Sequence, residues 1–221
     1  MNILIDSAAI DDIRHALDTG FVAGVTTNPT LLRRAGVRAA AVPTLVQQVV
    51  AAGAREIHLQ VYAADVAGML AEALQLIALD PARVVVKIPA TPAGFCAAQR
   101  LVQGGARVTL TAVYTLRQAL LAQSVGAAYI AIYIGRMRDA GLDAMALAGQ
   151  MQALLNAQAA AVAILAASIR EPDELVALGQ AGIGAATLPL AIIDRLLDSE
   201  ATAQAAEVFG ADARALFDEQ L

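Results

Sequence analysis

Lysine is nearly missing from this 221-residue chain: of fifteen basic residues, Lys87 alone is lysine and the other fourteen are arginine. Cysteine occurs once, at Cys96, which excludes a disulfide framework within the chain. Two histidines, His15 and His58, with that cysteine make no metal-ligand cluster. Charged residues are scarce at 16% against 58% hydrophobic, which excludes intrinsic disorder and leaves ample surface for a core. The net charge is −5 with no basic run, so a nucleic-acid partner is not expected, because phosphate neutralisation needs a basic face. Long apolar runs are missing too. The mean hydropathy is high, +0.61, but runs such as Val84–Val86 and Ala159–Ala167 fall far short of the roughly 20 residues that span a bilayer. No membrane partner is expected. The start, Met1-Asn2-Ile3-Leu4-Ile5-Asp6, lacks a signal-peptide pattern, and a cytoplasmic location is expected.

What is present is alternation. Short β-type runs, Asn2–Ile5, Ala23–Thr26, Glu56–Val61, Arg83–Ile88, Arg107–Ala112, Ala128–Ile134, Ala161–Ala167 and Gly182–Thr187, are each followed by a segment of helical periodicity. Residues 92–104 are an example: Pro92 suits a first helical turn, Gly104 a position past the end, and Phe95, Ala98, Leu101 and Val102 share a face. A parallel sheet with helical crossovers closes as a barrel or stays open and doubly wound. The dinucleotide-binding open sheet carries G-x-G-x-x-G after its first strand. Asp6-Ser7-Ala8-Ala9 stands there instead. The expected fold is therefore α/β, a (β/α)8 TIM barrel forming one domain over residues 1–221, with residues 199–221 an additional C-terminal helical tail. Ala205, Val208, Phe209, Leu216 and Phe217 give that tail an apolar side suited to capping the barrel or reaching a neighbouring subunit.

In a barrel, chemistry collects at the C-terminal strand ends, and side chains alternate inward and outward. The inward positions at that level read Asp6, Thr26 running into Asn28, Gln60 above His58, Lys87, Thr111 above Thr109, Tyr133 before Arg136, Ser168 before Arg170, and Thr187. Packing alone would place Val, Ile and Leu there.

Lys87 lies in Val84-Val85-Val86-Lys87-Ile88-Pro89, a run suited to a buried strand. Burial disfavours the ammonium and lowers its pKa. At the reference value of about 10.4, under about 0.1% of a lysine amine is neutral at pH 7. A desolvated lysine can be a nucleophile and form a Schiff base with a ketone; arginine cannot. The iminium is an electron sink for breaking or making the adjacent C–C bond, so no metal and no cofactor is expected. The plain alternative is a structural lysine paired with Asp6. The lysine's uniqueness and the surrounding polar ring favour catalysis. Asp6, Gln60, Thr111 and Tyr133 suit supporting catalytic roles, the last three by holding one proton-shuttling water. Arg136 and Ser168, with Arg170, suit an anion site for a substrate phosphate. His58 reads as a core histidine, His15 as a helix-surface residue, Cys96 as buried packing, and Tyr62 and Tyr129 as structural.

These residues fall within a series of motifs: Ile5-Asp6-Ser7, Gly24-Val25-Thr26-Thr27-Asn28-Pro29, Val86-Lys87-Ile88-Pro89-Ala90-Thr91, Thr111-Ala112-Val113-Tyr114, Gly135-Arg136, Ala166-Ala167-Ser168 and Thr187-Leu188-Pro189. In this order the chain resembles the transaldolase superfamily of class I aldolases. The resemblance implies a (β/α)8 barrel with the Schiff-base lysine at Lys87. It implies that Asp6 and Asn28 hold the dihydroxyacetone part of a sugar phosphate, with Thr26 beside them, and that Arg136, Ser168 and Arg170 meet the phosphate. Transaldolases proper have Glu at the position of Gln60 and usually Phe at that of Tyr133, whereas the short fructose-6-phosphate aldolases have Gln and Tyr. This chain resembles the second branch. That implies reversible cleavage of fructose 6-phosphate to dihydroxyacetone and glyceraldehyde 3-phosphate, in a ring-based homo-oligomer such as a decamer.

One segment and two single positions depart from the pattern. Residues 137–143 replace a Gly-rich loop, Gly135 replaces an Asn common in the aldolase branch, and Thr109 replaces an apolar donor-pocket residue. Two other functions stay open: a transaldolase moving the three-carbon unit between sugar phosphates, and an inactive sugar-phosphate-binding barrel.

Overall fold

A computed structural model describes residues 1–218. Eight strands, β1 (Asn2–Asp6), β2 (Val22–Thr26), β3 (Ile57–Gln60), β4 (Val84–Pro89), β5 (Val108–Val113), β6 (Tyr129–Tyr133), β7 (Ala163–Ala167) and β8 (Ala185–Leu188), pair in parallel in chain order. The pairing of β1 with β8 closes the barrel. The helices between them are α1 (Ile10–Asp18), α2 (Pro29–Arg34), α3 (Val42–Ala51), α4 (Val66–Ile77), α5 (Pro92–Gln103), α6 (Leu116–Ser124), α7 (Ile134–Asp139), α8 (Ala144–Ala157), α9 (Asp173–Gln180) and α10 (Leu190–Arg195), with α11 (Glu200–Asp218) following the barrel. This is the (β/α)8 TIM barrel with a C-terminal helix. Residues 219–221 of the expected tail lie outside the described residues.

The strand sequences follow from burial on both faces, which makes parallel strands read as apolar runs. Outward-facing Ile5, Val25, Ile57, Leu59, Val86, Ile88, Leu110, Ile130 and Ile132 pack against the helices in one large core. Inside the barrel the apolar cluster is small: Leu4, Ala131, Leu165 and Ala185, with Tyr129 against it. The remaining interior is where polar side chains stand. The alanine content has its use here, since Ala16, Ala73, Ala97, Ala98, Ala119, Ala122 and Ala148 are wholly buried on the helix faces that meet the barrel. A small side chain lets a helix approach the sheet closely and loses no rotamer freedom in the process.

Helix starts are set by side chains. Asn28, Asp65, Thr91 and Asp143 each accept from the backbone N–H three residues on, and Thr115 with Gln118 makes a capping box. On α5, Gly94 is required: a Cβ there would lie 1.9 Å from the Pro89 carbonyl oxygen, so the first turn after Lys87 can close tightly on the strand end. Gly94, Ala97, Ala98 and Leu101 form the buried face, leaving Phe95 and Val102 half-buried. Cys96, expected to be buried, is exposed on the opposite side of that face.

The expected strand spans differ at their ends. β8 starts at Ala185 because Gly182 (φ +82°) belongs to the turn after α9. β5 runs to Val113 through an irregularity: Leu110 pairs with Ile130 but Val113 with Ile132, so β5 carries one extra residue. Ala112, at φ +59°, absorbs it. Such a bulge re-aims the neighbouring side chain, here Thr111.

Among the described residues no helix is long and apolar enough to cross a membrane. α11 leaves Val208, Phe209, Leu216 and Phe217 57–72% exposed.

Candidate active site

The C-terminal ends of the strands surround a cavity of about 450 Å³. Its wall includes Asp6 from β1, Asn28 after β2, Gln60 from β3, Lys87 from β4, Thr111 and Ala112 from β5, Tyr133 from β6, Arg136 from α7, Ser168 after β7 and Thr187 from β8. Strand register accounts for the convergence: Gln60 pairs with Lys87 across β3 and β4, and Pro89 with Thr111 across β4 and β5.

Lys87 is 4% exposed, and its Nζ donates to the Thr27 carbonyl at 2.9 Å. Burial pushes its pKa down from the usual lysine value; Asp6 opposes that shift and Arg136 adds to it. Burial likewise pushes the Asp6 carboxyl up, against the charges of Lys87 and Arg136 and a hydrogen bond from Thr26. The barrel interior thus disfavours charge on both partners. A backbone carbonyl can accept from a neutral amine as well as from an ammonium, so the anchor to Thr27 persists in both protonation states.

Thr26 donates to Asp6 Oδ1 at 2.6 Å and pairs with the Thr187 hydroxyl at 2.7 Å. It is fully buried and not part of the cavity wall, so it holds Asp6 where direct contact with a substrate was expected. Asn28 accepts from the Leu31 N–H through Oδ1. Its amide NH2 is left as the group it can offer the cavity.

Thr111 and Tyr133 join their hydroxyls at 2.7 Å. Burial pushes the Tyr133 pKa up, with the Thr111 hydrogen bond and Arg136 opposing, so the phenol keeps its proton. The Arg136 guanidinium lies over the Tyr133 ring, 4.7 Å from its centroid. It has no carboxylate partner among the described residues. Ser168 sits at φ +61°, a left-handed conformation that costs on the order of 1–3 kcal/mol outside glycine. Gly135 makes that arrangement fit. Its N–H donates to the Ser168 carbonyl, and a Cβ there would lie 2.6 Å from that oxygen and 2.8 Å from Ser168 Oγ and Arg170 Nε. An asparagine here, common in the aldolase branch, would force the segment apart.

Arg170 is not where the sequence led us to expect it. Its guanidinium grips both oxygens of Asp139, at 2.8 and 2.5 Å, and it does not line the cavity. Asp139 lies in the segment that replaces the Gly-rich loop, and that substitution supplies Arg170 with its partner.

Sequence reasoning missed three features. Arg34, the last residue of α2, lines the cavity rim. Ala112 lines it through its left-handed backbone, which no motif announces. Below Lys87 a polar network fills the barrel floor. His58 is wholly buried and pairs through Nδ1 with the Thr109 hydroxyl at 2.9 Å. Its Nε2 lies 3.3 Å from Glu56, which also accepts from Tyr129 at 3.0 Å and pairs with Arg107. Burial lowers the His58 pKa against the pull of Glu56. Burial alone would raise Glu56, but hydrogen bonds and charge from His58 and Arg107 hold it well below the usual carboxylate range. His58 being neutral near pH 7, we assign the greater part of that effect to Arg107. The Thr109 departure noted in the sequence is thus tied to His58. Tyr62 is exposed, and His15 meets Asp194 at the surface at 3.0 Å. No group of three or more His, Cys, Asp or Glu side chains among the described residues could hold a metal ion.

A closed barrel whose polar side chains converge on one cavity at the C-terminal strand ends has the architecture of a TIM-barrel enzyme. Residues 3–221 match the family model described as transaldolase/fructose-6-phosphate aldolase. A "Probable transaldolase" of Heliobacterium modesticaldum is 37% identical over 197 residues, covering 89% of this chain and 90% of that protein. One of Geobacillus kaustophilus is 32% identical over 212 residues, covering 96% and 98%. The chain belongs to the transaldolase/fructose-6-phosphate aldolase family and is an enzyme of aldolase or transaldolase type. A solved thiamine phosphate pyrophosphorylase from Pyrococcus furiosus (TM-score 0.59, 15% identity, 87% of both chains) shares the fold.

Proposed function

We propose that this chain is a class I aldolase that reversibly cleaves fructose 6-phosphate to dihydroxyacetone and glyceraldehyde 3-phosphate through a Schiff base on Lys87. The buried Lys87 amine carries this reading, with its pKa lowered and Lys87 in the cavity wall. The neutral amine adds to the ketone carbon, and the carbinolamine loses water to give the iminium. A proton leaves the C4 hydroxyl, the C3–C4 bond breaks, and its electron pair moves into the iminium as an enamine. The aldehyde departs with the phosphate. Protonation of the enamine carbon and addition of water then release dihydroxyacetone and restore the amine. The Thr111–Tyr133 hydroxyl pair, with Gln60, can hold the water that carries these protons. In this reading Asp6 and Asn28 bind the hydroxyls of the three-carbon unit, and Arg136 with Ser168 binds the phosphate, a reading supported by their shared cavity.

Transaldolase is the second reading, and the names of the relatives favour it. In that reaction the enamine is passed to a sugar-phosphate aldehyde before protonation. Gln60 and Tyr133, the pair that the aldolase branch carries, support cleavage instead. The exposed apolar side chains of α11 support assembly with further copies of the chain, and a cytoplasmic location fits the substrate class.

Incubation with fructose 6-phosphate and borohydride, followed by intact mass and peptide mapping, tests the chemistry. A three-carbon or hexose-phosphate adduct on Lys87 is expected, and its absence overturns the proposal. A coupled assay with and without erythrose 4-phosphate separates the two readings, since a requirement for that acceptor identifies transaldolase.

A further inference from the structure

Eight strands in chain order around a closed barrel place β2 opposite β6. Arg136, just after β6, is the cation of one wall of the cavity. Arg34 is a cation of the facing wall, carried there by α2 and lining the rim beside Asn28 and Leu31. Arginines elsewhere near the mouth are occupied: Arg170 by Asp139, Arg138 by Glu174 and Arg195 by Glu171. Arg34 has no carboxylate partner among the described residues, and neither have its neighbours Arg33 and Arg38. Those two line the adjoining surface pocket, which shares Pro29 with the cavity. A chain of net charge −5 therefore carries a local positive lip at one side of its site. Unpaired guanidiniums next to a low-dielectric cleft attract anions and raise their local concentration.

We propose that Arg34 is a second anion-recognition side chain of this site, meeting the phosphate of the sugar phosphate from the β2 side while Arg136 meets it from the β6 side. The inference rests on the aldol reading of the cavity. Arg34 is exposed, so its contact is with a solvated phosphate, and its contribution is to capture and retention. Turnover of bound substrate depends on Lys87 and the hydroxyl pair, which Arg34 does not support.

The experiment compares wild type, Arg34→Gln and Arg34→Lys in aldol addition of dihydroxyacetone to glyceraldehyde 3-phosphate and to unphosphorylated glyceraldehyde. In Arg34→Gln the KM for the phosphorylated aldehyde should rise roughly three- to tenfold, with kcat little changed and glyceraldehyde unaffected. The difference should shrink at roughly 0.5 M salt, where the Debye length falls below about 5 Å. Arg34→Lys should recover most of the loss. An unchanged KM overturns the proposal, and so does an equal rise for both aldehydes, which would make Arg34 a part of the rim's structure. Failure of the wild type to form the Lys87 adduct would strike the aldol reading separately. The role of Arg34 would then be judged by calorimetric binding of fructose 6-phosphate, where an unchanged Kd in Arg34→Gln overturns it.

Discussion

Replacing Tyr133 by Phe removes one oxygen and leaves the rest of the side chain in place. The ring has three neighbours to keep. It stands edge-on to Tyr114 with centroids 6.0 Å apart, lies under the Arg136 guanidinium at 4.7 Å, and ends at the cavity wall. None of these needs the hydroxyl. The hydroxyl's partner is Thr111 Oγ1 at 2.7 Å. Thr111 is 2% exposed, so it loses a partner that water replaces from the cavity side alone. The stability cost of one such hydrogen bond is about 1 kcal/mol, which lowers Tm by roughly 2–4 °C for a chain of this size. The catalytic cost is larger. General acid–base groups contribute about a hundred- to ten-thousandfold, and a water still held by Gln60 and Thr111 retains part of that, so a ten- to hundredfold fall in kcat for cleavage is expected. KM should hardly move, because in the proposed mechanism the hydroxyl acts in the proton transfers and not on the phosphate or the three-carbon unit. Borohydride trapping should persist at a lower rate. The assay is fructose 6-phosphate cleavage with the aldehyde removed by a coupling enzyme, alongside thermal melts. Wild-type turnover in Tyr133→Phe would refute the hydroxyl's role in proton transfer and leave Gln60 alone to support cleavage over three-carbon transfer.

Lys87→Met should fold, form no adduct in intact mass after borohydride, and lose more than about a thousandfold in turnover; retained adduct would move the chemistry to another group. Because burial lowers the Lys87 pKa, the neutral amine appears as pH rises through that lowered value. The trapping rate should therefore climb with pH and level off before about 10.4, the reference lysine value; a rise that continues up to that range would show an ordinary solvated amine. Arg136→Ala should raise the KM for phosphorylated substrates roughly tenfold, with unphosphorylated glyceraldehyde unaffected; equal losses would place the phosphate elsewhere.

The barrel was legible because its strands are buried on both faces and its helices alternate with them. In Val84-Val85-Val86-Lys87-Ile88 a period of two puts Lys87 on the inner face, and the same counting brings Asp6, Gln60, Thr111 and Tyr133 to one cavity. Long side chains escaped that counting. Arg170 has the reach to turn towards Asp139, and Arg34 to return to the cavity from the end of a helix. Strand periodicity says nothing of either. Ala112 and Ser168 owe their left-handed conformations to tertiary closure at the strand ends, and neither residue type signals it. Thr26 has the right face and the wrong depth: full burial behind Asp6 makes it a support. The floor network was invisible as a unit because His58, Thr109 and Tyr129 come from β3, β5 and β6, Glu56 and Arg107 from the residues just before β3 and β5, and they meet only in the closed barrel.

The scarcity of lysine has a consequence for an enzyme that would release a free aldehyde at every turn. Aldehydes condense with primary amines and glycate exposed lysines. Among the described residues the surface offers no lysine amine to such a product: besides the α-amino group of Met1, the chain's one amine lies at 4% exposure inside the barrel. The arginines that take over surface charge stay protonated and form no imine near neutral pH. Under the proposed cleavage the chain would resist slow damage by its own product, while the same condensation would be confined to Lys87, where it is reversible and productive.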